Sequence, residues 1–239
     1  MGKILFLSDI HGNMPAVYAL ENEIKKIDID EMWFVGDAVG KGPEGDKAVD
    51  WVRKNCTNAV KGNWDEGICN NYRNRAYENQ DFYWKQLGKE RIEWLEGLPY
   101  EREILISGLW FRVVHGRPSD RLYQAYDSFE ELKQGFKSKI TDRIYNGYIC
   151  ADSHMPYMRT CNLGYAVNTG RVGNGIGIPR AHCVVIEGEI GSEKKAPLKI
   201  DILSVPYDNN ESVRIAKSCK EMVNPEAYIN EVLTGVYSR

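Results

Sequence analysis

Hydrophobic positions in this chain fall into short runs that stop abruptly at loops carrying aspartate, histidine, asparagine or glycine. Lys3 to Ser8 reads as a buried-strand run, apolar from Ile4 to Leu7, and is broken by Asp-Ile-His-Gly-Asn. From about Pro15 to Lys26, Ala16, Leu20 and Ile24 recur at helical spacing, with a proline in the first turn. Met32 to Val35 is a second strand closed by Gly36-Asp37, and a second helix covers roughly Glu44 to Lys54. Ala59-Val60 ends a short third strand at Gly62-Asn63. This β-α-β-α-β order predicts parallel strands in one layer with helices on its faces. Open α/β sheets place their sites at the carboxyl ends of such strands.

Glu66 to Leu98 is expected to be helical and is rich in rings: Tyr72, Tyr77, Phe82, Tyr83, Trp84 and Trp94. Ile104 to Val114 has the pattern of a hairpin turning at Ser107-Gly108 and ending at His115. A helix near Phe129 to Phe136 leads to a strand from Ile144 to Cys150, which stops just before Asp152. Tyr157–Cys161, Tyr165–Val167, His182–Glu187 and Leu198–Val205 are expected to form a second, more antiparallel sheet, and Pro225 to Leu233 a closing helix. One domain over 1–239 is the expectation, with 66–98 as an aromatic helical lid and 208–239 as a C-terminal helical extension.

Composition narrows the classes. A content of 43% hydrophobic and 27% charged residues is that of an ordinary globular protein. A net charge of −3 argues against general nucleic-acid binding. No run approaches the ~18 apolar residues of a membrane span. The start is too short for a secretory signal. Cys56, Cys69, Cys150, Cys161, Cys183 and Cys219 form no CxxC pair, which points to reduced thiols and a cytoplasmic location.

Seven residues just past the hydrophobic runs carry the candidate chemistry: Asp9, His11, Asp37, Asn63, His115, Asp152 and His154. They include three of the chain's four histidines. Oxygen and imidazole donors in this mixture suit hard or borderline divalent cations. Asp9 and His11 are two apart, so in a strand-like segment both side chains leave one face. Asp37 has two oxygens and could bridge two ions. Each member also has a plain structural explanation, since Asp37 could cap a helix and Asn63 serve a turn. Two ions ~3.5–4 Å apart would hold a bridging hydroxide and bind the oxygens of a phosphoester. His182 lies within a strand run and is expected to be structural. Gly40-Lys41-Gly42-Pro43 lacks the Gly-Lys-[Ser/Thr] of a P-loop.

Ser8-Asp9-Ile10-His11-Gly12-Asn13, Gly36-Asp37-Ala38-Val39-Gly40-Lys41-Gly42-Pro43, Gly62-Asn63-Trp64-Asp65 and Val114-His115-Gly116 together resemble the calcineurin-like metallophosphoesterases. The nearest resemblance is to the small prokaryotic phosphodiesterases grouped with dinucleoside tetraphosphatases. Asp152-Ser153-His154-Met155-Pro156-Tyr157 and Val167-Asn168-Thr169-Gly170-Arg171-Val172-Gly173 extend it, so that it covers roughly residues 3 to 188. It implies an α/β/β/α sandwich of two sheets with a dimetal site at the sheet ends. Asp9, His11, Asp37 and His154 would then hold the first metal, and Asp37, Asn63, His115 and position 152 the second. Asp37, Asn63 and Asp65 become the candidate catalytic residues.

Two positions depart from the family pattern. Asp152 stands where the family usually has the first histidine of Gly-His-x-His. A third carboxylate makes a metal-bound water a weaker acid and favours Mn²⁺ or Fe²⁺ over Zn²⁺, with Mg²⁺ a further alternative. Trp64 replaces a histidine of Gly-Asn-His-Asp, and indole cannot protonate a leaving oxygen at neutral pH. Trp64 could stack on a base or pack against neighbouring rings. Arg117 and Arg171 are candidates to clamp phosphate. The reading is a phosphoesterase with two divalent metal ions, acting on phosphodiesters or nucleotide phosphoanhydrides such as dinucleoside polyphosphates. Its rival is a binding scaffold that keeps the fold and has lost catalysis. Oligomeric state stays open.

Overall fold

The computed structural model describes residues 1–70, 79–116, 129–175 and 178–236. The elements in chain order are β1 (Gly2–Leu7), α1 (Met14–Ile24), β2 (Glu31–Phe34), α2 (Gly45–Asn55), β3 (Asn58–Ala59), α3 (Asn63–Asn70) and α4 (Gln80–Glu96). There follow β4 (Glu101–Ile106), β5 (Leu109–Val114), α5 (Phe129–Gln134), β6 (Gly147–Cys150), β7 (Tyr157–Cys161) and β8 (Gly164–Asn168). The chain closes with β9 (Ala181–Gly188), β10 (Lys199–Val205), α6 (Asn209–Ser218) and α7 (Glu226–Thr234).

Two five-stranded sheets result, ordered β10-β9-β1-β2-β3 and β4-β5-β6-β8-β7. Alternation along β1 shows how they stack. Ile4 and Phe6 enter a core shared with Ile104, Ile106, Phe111, Val113, Ile149 and Val167 of the second sheet. Leu5 and Leu7 face the other way, into a core with Val17 and Leu20 of α1, Val49 and Val52 of α2 and Leu87 of α4. The outer face of the second sheet, through Tyr148, Cys150 and Ala166, is covered by Leu132 and Phe136 at α5. The layers are therefore α/β/β/α. A strand buried on both faces has no polar side, which is why β1 is apolar from Ile4 to Leu7 without interruption.

β1, β2 and β3 pair in parallel, as their spacing predicts. The hairpin β4–β5 turns at Ser107 and Gly108, both with positive φ (52° and 75°), as a type I′ turn requires. The helical stretch expected from Glu66 begins earlier, at Asn63, and α4 is broken at Gly88 (φ 66°, ψ 172°). Tyr83 is buried, Phe82 and Trp94 pack against the helix-side core, and Trp84 is exposed. Tyr72 and Tyr77 lie outside the described residues.

One expectation needs correction. β9 and β10 do not join the second sheet: β9 pairs antiparallel with β1 and carries β10 on its outer edge. An apolar run specifies burial but not the partner strand, and β9 is buried because it sits between two neighbours.

Arg112 of β5, three residues before His115, is fully buried, with Nε 2.8 Å from Glu101 Oε2 and Nη1 donating to the carbonyls of Gly135 and Lys137. Removing the carboxylate would take from a buried guanidinium the charged partner that accepts from its Nε at 2.8 Å and lies 2.7 Å from Nη2. Glu101→Ala is expected to destabilise the metal-free protein by about 3 kcal/mol in urea denaturation.

Candidate metal centre

The loops beyond the strands continue the main-chain hydrogen bonding of the sheets. Asp9 N–H donates to Gly36 O, His11 N–H to Asp37 O, and Gly12 N–H to Ala38 O. Val172 and Gly173 donate to Ser8 O and Asp9 O, and Ala151 to His115 O. These bonds draw the ends of β1, β2, β5, β6 and β8 to one edge of the sandwich.

Asp9, His11, Asp37, Asp152 and His154 all have left-handed φ, between 48° and 64°. Asp9 and His11 therefore do not share a face by strand alternation, as their spacing suggested; each is aimed by a left-handed turn of its loop. Non-glycine residues enter this region at a cost of about 1 kcal/mol or more, and such strain concentrates at functional sites.

All seven candidates converge. His154 Nε2 lies 3.2 Å from Asp9 Oδ1 and 3.3 Å from His11 Nε2. His11 Nε2 is 3.6 Å from both Asp9 Oδ1 and Asp37 Oδ2. The same Asp37 Oδ2 is 3.4 Å from His115 Nε2, so one oxygen stands between the two groups of ligands. His115 Nε2 is 3.0 Å from Asn63 Oδ1 and 3.8 Å from Asp152 Oδ1. Asp152 thus stands with Asn63 and His115.

The imidazoles share one device. His11 Nδ1 faces Val39 O at 3.1 Å, His115 Nδ1 faces Val35 O at 2.7 Å and His154 Nδ1 faces Asn174 O at 2.8 Å. A proton held on Nδ1 by a carbonyl leaves the Nε2 lone pair aimed at the centre, the arrangement of metal-ligating histidine. His154 has a longer support. Asn174 Nδ2 donates to Glu231 Oε2 of α7 at 2.8 Å, and Glu231 is fully buried.

Polar atoms at the centre are arranged for a cation. Both oxygens of fully buried Asp9 lack a hydrogen-bond donor among the described residues. Asn63 Oδ1 faces acceptors; only by turning its amide would it donate to His115 Nε2, Asp37 Oδ2 (3.3 Å) and Asp152 Oδ1 (3.1 Å). Burial works to raise the Asp9 carboxyl, but the neighbouring imidazoles His154, His11 and His115 hold it well below the usual range. Burial pulls His115 down, yet the charges of Asp37, Asp9 and Asp152 outweigh it and raise this group well above the ordinary histidine value. Burial and the Lys41 charge lower His11 to about 4, which keeps it neutral, the form that ligates. This donor set fits divalent cations.

Asp65 does not face the ligands. Its Oδ2 accepts from Asp37 N (2.8 Å) and Gly62 N (3.0 Å), and its Oδ1 from Ala38 N (2.9 Å) and Val39 N (3.4 Å). In this place it holds the Asp37 loop through four main-chain N–H groups. Gly62 is glycine for the same packing, because a Cβ there would lie 2.0 Å from Asp37 Oδ1. Trp64 N–H donates to Asp37 Oδ1 from the first turn of α3, which leaves Oδ2 for the centre. The Trp64 ring meets His11 edge-on, with centroids 5.8 Å apart.

Arg171, a candidate phosphate clamp, sits behind the His154 loop, and its Nε has no hydrogen-bond partner among the described residues. Its guanidinium is buried and donates to the main-chain carbonyls of His154 (2.7 Å) and Ile178, so it braces the His154 loop. Arg117 lies outside the described residues. Asn168 holds the same loop, donating to Ala151 O (2.8 Å) and Ser153 Oγ (3.1 Å). His182 is structural as expected, with Nδ1 facing Arg180 O. Sequence reasoning missed Lys41, Asn174 and Glu231 as members of the site. A lysine between glycines and a glutamate on the last helix carry no one-dimensional signal of their proximity.

A calcineurin-like phosphoesterase superfamily domain matches residues 3–189. The chain belongs to that superfamily. An uncharacterized protein of Methanocaldococcus jannaschii is 29% identical over 229 residues, covering 86% of this chain and 88% of the relative. Among solved structures, a hypothetical protein from Pyrococcus horikoshii OT3 superposes with a TM-score of 0.80 at 19% identity over the full length of both chains. A metallophosphoesterase from Sphaerobacter thermophilus gives 0.76 at 21% identity, covering 98% of this chain and 99% of the other. The two-sheet fold is thus the metallophosphoesterase fold. The matched domain stops short of α6 and α7, yet α7 supplies Glu231.

Losing an outer support of a ligating histidine typically lowers metal affinity about tenfold or more. Glu231→Ala is expected to weaken Mn²⁺ binding by about that factor, and Glu231→Gln, whose amide oxygen still accepts, to keep most of it. Titration calorimetry checks this; equal affinity in all three proteins would remove Glu231 from the site.

Proposed function

We propose that this protein is a two-metal phosphoesterase that hydrolyses phosphodiesters or nucleotide phosphoanhydrides, dinucleoside polyphosphates included. The observation that carries this reading is Asp37 Oδ2, which stands 3.6 Å from His11 Nε2 and 3.4 Å from His115 Nε2. One carboxylate oxygen between two sets of inward lone pairs is what a bridging ligand requires. Asp9, His11, Asp37 and His154 would hold one cation, and Asp37, Asn63, His115 and Asp152 the other. When bound, divalent cations supply positive charge at the phosphoryl oxygens and a water acidic enough to ionise near neutral pH.

The protein's own groups hold that site rigid. Backbone carbonyls fix the three imidazoles, Asp65 fixes the loop of Asp37, and Arg171 and Asn168 fix the loop of Asp152 and His154. Hydrolysis forms one P–O bond from water and breaks the P–O bond to the leaving oxygen. Position 64 offers no proton to that oxygen, because indole does not act as an acid at neutral pH. The chain is therefore suited to leaving groups that depart as stable anions, as phosphate and aryl oxide do. Three carboxylates in the donor set favour Mn²⁺ as the working metal. The reading is of a cytoplasmic enzyme acting on small molecules; among the described residues no helix is long and apolar enough to cross a membrane.

The test is hydrolysis of bis-p-nitrophenyl phosphate by chelator-treated and Mn²⁺-reloaded protein. Activity is expected only after reloading, and equal rates would end the proposal. Asp152→Ala is expected to lose affinity for one of two Mn²⁺ ions by about tenfold or more while keeping the other. A titration that still counted two equal sites would show that Asp152 is no ligand.

A further inference from the structure

The candidate ligands come from both sheets. Asp9, His11, Asp37 and Asn63 follow β1, β2 and β3, whereas His115, Asp152 and His154 follow β5 and β6. Either proposed ion would therefore be gripped by the two sheets together. The core between the sheets is apolar, with Ile4 and Phe6 meeting Phe111, Val113 and Ile149. Apolar contact has no direction. It holds the sheets together without fixing them to the few tenths of an ångström that metal ligation demands. Directional bonds at the site end of the sandwich have to set that distance.

A buried pair of hydroxyls is placed to do so. Ser8, beside Asp9, and Thr169, just past β8, are both fully buried, and Ser8 Oγ lies 2.7 Å from Thr169 Oγ1. Ser8 Oγ is also 3.2 Å from Gly170 O. Thr169 Oγ1 is 3.2 Å from the carbonyl of Cys150, the last residue of β6, and Thr169 N–H donates to the same carbonyl at 2.9 Å. A path of bonds thus runs from the residue beside Asp9 to the strand that delivers Asp152 and His154. Its two hydroxyls are 161 positions apart in sequence.

Two hydroxyl protons serve three contacts. Either Ser8 donates to Thr169 and Thr169 to Cys150 O, or Thr169 donates to Ser8 and Ser8 to Gly170 O. Both arrangements keep the link between the sheets. A neutral hydrogen bond adds little net stability, because the unfolded chain bonds to water instead. What this one adds is direction.

We infer that the Ser8–Thr169 hydroxyl pair is a positioning contact for the metal centre, fixing the spacing between the ligands of the first sheet and those of the second. This rests on the two-metal reading of the site and deepens it. Losing one such bond typically changes an equilibrium about fivefold.

The experiment measures Mn²⁺ affinity by titration calorimetry, with urea denaturation of the metal-free protein alongside. The variants are Ser8→Ala, Thr169→Val, Thr169→Ser and the Ser8→Ala/Thr169→Val double. Ser8→Ala and Thr169→Val are expected to bind Mn²⁺ about fivefold more weakly, and Thr169→Ser, which keeps the hydroxyl, to bind like the wild type. The double variant is expected to bind no more weakly than Ser8→Ala, because both changes remove one contact. Affinities that stay level in Ser8→Ala and Thr169→Val, whatever happens to stability, overturn the inference and leave the pair a purely structural one. Thr169→Ser binding as weakly as Thr169→Val overturns it too, since the methyl would then be the group that matters. If the wild type takes up a single Mn²⁺, the two-metal reading fails. The affinity series for that ion still decides the role of the hydroxyl pair, because either ligand set spans both sheets.

Discussion

The structure depends on holding two fully buried carboxylates, Asp9 and Asp37, against three imidazole lone pairs. Like-natured acceptors crowded out of water repel one another and lose hydration, so they stay together only where something positive gathers them. Much of the surrounding architecture serves this constraint. Carbonyls of Val35, Val39 and Asn174 lock the imidazole protons outward. Left-handed turns aim the side chains, and main-chain bonds between neighbouring loops keep those turns from relaxing.

Support for the centre comes from unequal depths of the chain. Asp65 works within four residues of Gly62 but fixes the loop of Asp37, twenty-eight positions earlier. Glu231 acts from the last helix through Asn174, and Ser212 and Tyr207 reach Asn13 beside the first ligand loop. The C-terminal helices therefore brace the ligand loops although the family domain ends at residue 189. Substitution at positions 152 and 64 is also less isolated than it looks along the chain. Asp152 brings negative charge, and Lys41 beside Trp64 brings positive charge into the same buried space.

Legibility in the sequence followed the range of the interactions. Strands β1 to β3 and the hairpin at Ser107-Gly108 were readable because apolar runs and turn residues act over a few positions. The ligand set was readable because its members sit at run ends and recur in a known combination. The sheet membership of β9 was not, since its partner β1 lies 178 to 186 positions earlier in the chain. The motif around Arg171 carried no sign that its Nη1 and Nη2 donate to the carbonyls of His154 and Ile178.

What the amino-acid order determined by itself was the family, the layer pattern and the chemical identity of the candidate ligands. Those follow from local periodicity and from residue types that few other functions bring together. Only the tertiary structure decided which groups face the centre and which face away. Asp65 faces the main chain of the Asp37 loop, Arg171 donates to carbonyls of the His154 loop and of Ile178, and the Lys41 ammonium lies beside His154. The reason is physical: orientation is set by left-handed loop turns and by hydrogen bonds between segments far apart in sequence, and neither leaves a local pattern.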